Sequence, residues 1–88
     1  MIEKTATILN KRGLHARASA KFVNTVGKYD AEVNVMKDGT EVCGTSIMGL
    51  MMLAAAPGDI ITLRVSGSQA AEAAAALEDL IAGKFGED

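Results

Sequence analysis

Three stretches of this chain alternate apolar and polar residues with a period of two, Ile2–Leu9, Ala31–Lys37 and Asp59–Ser66, and a fourth, Thr40–Cys43, reads as a short strand. Such alternation gives a strand one apolar side and one polar side, so it must be buried on one face only. Asp59–Ser66 shows the pattern best, with Ile61, Leu63 and Val65 on one side and Thr62, Arg64 and Ser66 on the other. Ala31, Val33 and Val35 make the apolar side of the second stretch. In the first, Ile2, Ala6 and Ile8 do so, and Lys4 interrupts them as an edge strand permits. Asp38-Gly39 is a hairpin signal between Ala31–Lys37 and Thr40–Cys43, and Pro57-Gly58-Asp59 reads as a turn.

The remaining segments have helical spacing. Ala16 to Val26 carries the stripe Ser19, Phe22, Val23 and Val26 and stops at Gly27. Ile47 to Leu53 is a short helix that follows Thr45-Ser46, residues with N-cap chemistry. Gly67-Ser68 opens an alanine-rich helix to about Gly83, whose buried stripe is Ala70, Ala73, Ala74, Leu77, Leu80 and Ile81. The tail, Lys84 to Asp88, is expected to fray. The element order is therefore βαββαβα, and the 88 residues suit a single domain spanning 1–88. Four one-sided strands need a layer of helices on that side only. The expected fold is α+β: a two-layer open-faced sandwich, a four-stranded antiparallel sheet with three helices on one face.

Composition narrows the function by exclusion. The formal net charge is −2 and no basic tract is present, which argues against nucleic acid as a partner. The longest apolar run, Ile47 to Ala56, is too short to span a membrane and contains Gly49, so no membrane insertion is expected. The N-terminus has no basic segment followed by an apolar one, which points to a cytoplasmic protein. Cys43 is the only cysteine and can form neither an internal disulfide nor a metal cluster; it reads as a small packing residue. No cofactor or metal is expected, and the chain is read as a monomer. The early positive charges Lys11, Arg12, Arg17 and Lys21 bunch around the only histidine, His15, whereas the acidic residues lie mostly late. A local basic patch on a weakly acidic protein hints at anion handling.

His15 stands in Gly13-Leu14-His15-Ala16-Arg17, where a loop passes into a helix. A helix beginning at Ala16 makes His15 the N-cap, with the free N–H groups of the first turn directed at whatever its imidazole carries. The positive end of the helix dipole favours a neutral, nucleophilic ring there. Arg17 would add a guanidinium to a phosphoryl group on that ring, and Gly13 lets the backbone turn before it. No Asp, Glu or Cys lies near His15 in sequence, which suits neither a hydrolase nor a metal site. A nucleophile that only accepts and donates phosphoryl needs no such partner. The bland alternative is a surface histidine that happens to start a helix.

Ser46 is on spacing alone an ordinary N-cap. As a phosphorylation site it would add negative charge at a helix N-terminus, blocking a partner without unfolding the domain. Ile47-Met48-Gly49-Leu50-Met51-Met52-Leu53 is too apolar for a surface helix of two turns. With Leu50 and Leu53 facing the core, Ile47, Met48 and Met51 are left partly exposed, either as irregular packing or as an adaptable docking surface.

Taken together, Gly13-Leu14-His15-Ala16-Arg17, Lys28-Tyr29-Asp30-Ala31, Thr45-Ser46-Ile47-Met48-Gly49-Leu50-Met51 and the Gly58-Asp59 turn resemble the HPr family of the phosphoenolpyruvate-dependent phosphotransferase system over essentially the whole chain. The resemblance implies that His15 accepts phosphoryl from phosphorylated enzyme I on Nδ1 and passes it to an enzyme IIA domain, assisted by Arg17. It implies that Ser46 is the target of an HPr kinase/phosphorylase. Docking would use Ile47, Met48 and Met51 with Ala20 and Asn24. The chain departs from the family at Ala18, where proline usually follows the arginine; alanine leaves the helix start less preorganised. A regulatory branch of the same system, reporting nitrogen or carbon status, is an alternative to sugar uptake. A ferredoxin-like domain binding a small ligand is a more distant one, and it leaves both motifs unexplained.

Overall fold

In the computed structural model, which describes residues 1–87, the alternating stretches pair into one four-stranded sheet. The elements are β1 (Ile2–Thr7), α1 (Ala16–Val26), β2 (Glu32–Lys37), β3 (Thr40–Cys43), α2 (Ile47–Met52), β4 (Ile60–Ser66), α3 (Ala70–Ala82) and a 3₁₀ turn over Lys84–Gly86. The spatial order is β1-β4-β2-β3, and all three pairings are antiparallel. β4 pairs with β1 on one side, Ala6 opposite Ile61, and with β2 on the other, Val35 opposite Leu63. Lys4 is exposed on β1, which is an edge strand, so its break in the apolar pattern costs no buried charge.

The register puts Val33, Val35, Ile61, Leu63 and Val65 on one face, all buried. Against them the helices bury Phe22 and Val26 from α1, Leu50 from α2, and Ala73, Ala74, Leu77 and Ile81 from α3. Each large side chain of this set stabilises the fold by roughly 1.5–3 kcal/mol relative to an exposed position. The other face of the sheet is polar, with the Arg64 guanidinium set against Glu3 at 3.1 Å and Glu41 at 3.9 Å. This is the open-faced α+β sandwich expected from the pattern. Between β2 and β3, Asp38 and Gly39 both take positive φ, 51° and 83°, as a two-residue hairpin of matching twist requires.

Four details depart from the sequence reading. β1 ends at Thr7 because the Ile8 N–H and C=O leave the ladder to bond Asp59 and Gly58 in the β-turn before β4. α3 begins at Ala70, two residues after Ser68, because Ser68 and Gln69 turn back to hydrogen-bond Asp30 in the loop after α1. Cys43 is exposed at the end of β3, its Sγ hydrogen-bonded to the Thr45 hydroxyl at 2.9 Å, and lies outside the core. The fourth is the tail, which is ordered rather than frayed over residues 84–87, Asp88 lying outside the described residues. Phe85 turns into the core and is fully buried, its carbonyl accepting from Lys21 Nζ at 2.5 Å.

Candidate functional site

The loop Leu9–His15 is bent to a narrow geometry before α1 begins. The Leu14 N–H donates to the Ala55 carbonyl at 3.0 Å, and Asn10 Nδ2 donates to the Gly13 carbonyl at 2.8 Å. Gly13 takes φ +61°, and a Cβ there would lie 2.0 Å from the Ala55 oxygen. The chain therefore needs glycine at this point, which delivers His15 in extended conformation as the N-cap of α1. Leu14 is buried under it, and the Ser19 hydroxyl holds the Leu14 carbonyl at 3.1 Å.

Each ring nitrogen of His15 has a partner. The Arg17 backbone N–H donates to Nδ1 at 3.2 Å, one of the first-turn donors that an α-helix leaves unpaired. Nε2 hydrogen-bonds the carboxyl of Glu87, which in turn accepts from Asn10 Nδ2 at 2.9 Å on its other oxygen. Hydrogen bonding from Asn10, then from His15, with the Lys21 charge nearby, outweighs desolvation and holds the Glu87 carboxyl below its ordinary 4.5. Glu87 is thus an ionised acceptor, and Nε2 must bring the proton to it. Nδ1 faces a donor and must bring a lone pair. One proton on Nε2 satisfies both contacts, so the geometry selects the Nε2–H tautomer.

Asn10 is fully buried, and its orientation follows from the same logic. Turning the amide over would set its oxygen against two acceptors, Gly13 O and the Glu87 carboxylate. In the orientation found, Oδ1 has no hydrogen-bond partner among the described residues, and the two donations from Nδ2 offset that cost.

The sequence pattern therefore placed His15 correctly and missed its carboxylate. Glu87 lies 72 residues away, and spacing cannot join them. A usable signal was Phe85, an apolar side chain in an otherwise polar tail, which must find the core and carries its neighbours with it. The basic residues Lys11, Arg12, Arg17 and Lys21 do come together, lining with Gly86 and Glu87 a shallow cavity of about 380 Å³ beside His15. Ala18 is fully buried in the first turn of α1, which starts at Ala16 without a proline. Ala20 is half-buried and Asn24 exposed on the same helix.

Ser46 is the N-cap of α2, its hydroxyl accepting from the Gly49 N–H at 3.0 Å. α2 packs against α1, and its outward residues are Ile47, Met48 and Met51, as expected, together with Met52. Leu50 and Leu53 face the core.

The fold and the sequence match known proteins. The family model described as "PTS HPr component phosphorylation site" matches residues 2–83. The phosphocarrier protein HPr of Neisseria meningitidis is 54% identical over 87 residues, covering 99% of this chain and 98% of that one. A crystal structure of HPr from Thermoanaerobacter tengcongensis superposes with a TM-score of 0.95 at 45% identity, over 100% of this chain and 99% of that one. An HPr dimer from the same organism matches with a TM-score of 0.78 at 46% identity, covering 99% and 100% of the two chains. Fold and motif together define a small phosphocarrier protein on an open-faced sandwich. The chain belongs to the HPr family of the phosphotransferase system. That membership sets aside the ferredoxin-like ligand-binding alternative.

Proposed function

We propose that the chain carries phosphoryl on His15 Nδ1, taking it from phosphorylated enzyme I and giving it to enzyme IIA domains. The observation that carries this reading is the state of Nδ1: a ring nitrogen with its lone pair available, at a helix N-cap, facing a first-turn N–H. In the transfer, the Nδ1 lone pair forms a bond to phosphorus as the donor's bond to phosphorus breaks and its electron pair returns to the donor. The arriving phosphoryl oxygens replace Nδ1 as acceptors for the Arg17 N–H, and the Arg17 guanidinium, lining the adjacent cavity, adds charge-assisted bonds. The chain then serves as an intermediate without turnover of its own, a single domain acting as a monomer in the cytoplasm.

Ser46 is the regulatory phosphorylation site in this proposal, with an HPr kinase/phosphorylase as its modifying partner. Ala20, Asn24, Ile47, Met48 and Met51 form the docking surface for the transfer partners. Support comes from the exposed apolar side chains of α2 and its packing on α1.

Incubation with phosphoenolpyruvate and enzyme I tests the carrier role. An acid-labile, base-stable phosphate is expected on the wild-type chain and none on His15→Ala. No label on either would end the reading. Treatment with ATP and a cognate kinase tests the switch separately: an acid-stable phosphate lost in Ser46→Ala is expected.

A further inference from the structure

We propose that Glu87 is a positioning residue for phosphoryl transfer, acting through its contact with His15 Nε2 to hold the ring with Nδ1 unprotonated and directed at the first turn of α1. This rests on the carrier reading of His15. The tail is built to bring it there. Phe85 is fully buried and anchors the segment, Lys21 Nζ holds the Phe85 carbonyl, and Gly86 takes φ +73° so that the chain turns back toward Asn10. Asn10, itself buried, fixes the second carboxylate oxygen and ties it to the same loop that places His15. A carboxylate tethered at both ends in this way sets the tautomer and rotation of an imidazole, as carboxylates do behind ligating and catalytic histidines.

Its chemistry follows from the proton balance. When Nδ1 bonds to phosphorus, its lone pair is spent and the ring gains positive character, while the Nε2 proton stays in place. Glu87 stabilises that charge without taking the proton. The phosphorylated ring then keeps Nε2–H, the form in which imidazole is the better leaving group for the next transfer. Both half-reactions are served by one carboxylate.

Glu87→Ala and Glu87→Gln in the full chain test this. Glutamine has one oxygen for two donors, Asn10 and Nε2, and cannot satisfy both. Nitrogen-15 NMR of the His15 ring is expected to show a single Nε2–H tautomer in the wild type and a mixture in both variants. The initial rate of labelling from phosphorylated enzyme I, read well below the thermal midpoint of each variant, is expected to fall on the order of tenfold. Unchanged tautomer and rate in the variants would overturn the proposal and leave the carrier reading standing. Faster labelling would overturn it too, since Glu87 would then be a plug on the site. Absence of label on the wild type would fail the carrier reading instead, and the NMR result would stand apart from it.

Discussion

At Gly13 the backbone runs so near Ala55 that a Cβ would meet its carbonyl oxygen at 2.0 Å, while the next N–H bonds that same oxygen at 3.0 Å. Neither the close approach nor the positive φ tolerates a side chain. Gly13→Ala is expected to cost more than about 2 kcal/mol in urea unfolding and to displace His15 from the N-cap. Glu87 adds a pH signature. Its folded carboxyl lies below the ordinary 4.5, so the unfolded chain binds that proton more readily. Its stabilisation is present in full above about 4.5 and is lost as pH falls through the lower folded value. The groups facing it are Asn10, His15 and Lys21, with Lys11, Arg12 and Arg17 around the adjoining cavity. Wild type and Glu87→Gln should thus differ in stability near neutral pH and converge in acid, read as thermal midpoints across that range. At this scale the N-cap position of His15, with Arg17 in the turn after it, was legible in the sequence, because a five-residue motif and a helix start are local. Asn10 and Glu87 were not, being 77 residues apart and joined only by the fold.

Among the elements, β2 and β4 were legible because they alternate, β1 because it does so but for Lys4, and β3 because the Asp38-Gly39 hairpin signal precedes it. The tail was not. A 3₁₀ turn of three residues has too little length for a period, and Lys84 and Phe85 both take positive φ, which no propensity argument anticipates. Burial of Phe85 settles the matter by tertiary packing. Phe85→Ala is expected to cost about 3–5 kcal/mol and, by releasing the tail, to reproduce the His15 ring signature of Glu87→Ala. Calorimetry with ring NMR checks both effects on one sample. Ser46 behaves differently. Its hydroxyl accepts from the Gly49 N–H, so Ser46→Ala should lower stability by about 1 kcal/mol in urea unfolding, whereas Ser46→Asp should retain most of it. The cap also bears on the proposed modification: a phosphate at that position would keep an acceptor at the helix start while changing the charge presented to partners.

Across the whole molecule the two sides of the sheet divide the work. The polar side closes on itself through Arg64 and its carboxylates. The helical side carries the His15 loop, the cavity of four cations and the exposed apolar residues of α2, with α1 packed between loop and patch. Met48 is the most exposed of the proposed docking residues on α2 at 69%, so truncating it removes almost nothing from the core. Met48→Ala should leave the thermal midpoint within about 1 °C of wild type, since such surface changes usually stay within ±0.5 kcal/mol. Yet a methionine at the centre of an interface loses on the order of 1–2 kcal/mol of binding when truncated, roughly a five- to thirtyfold rise in KM. In the proposed relay the same His15 is presented to donor and acceptor in turn, so one face would serve both. The rise should therefore appear in steady-state transfer from enzyme I and in transfer to an enzyme IIA domain alike, with kcat unchanged in each. A loss confined to one partner would mean that donor and acceptor approach His15 over different residues, and Ala20 and Asn24 on α1 are where the second surface would then be sought.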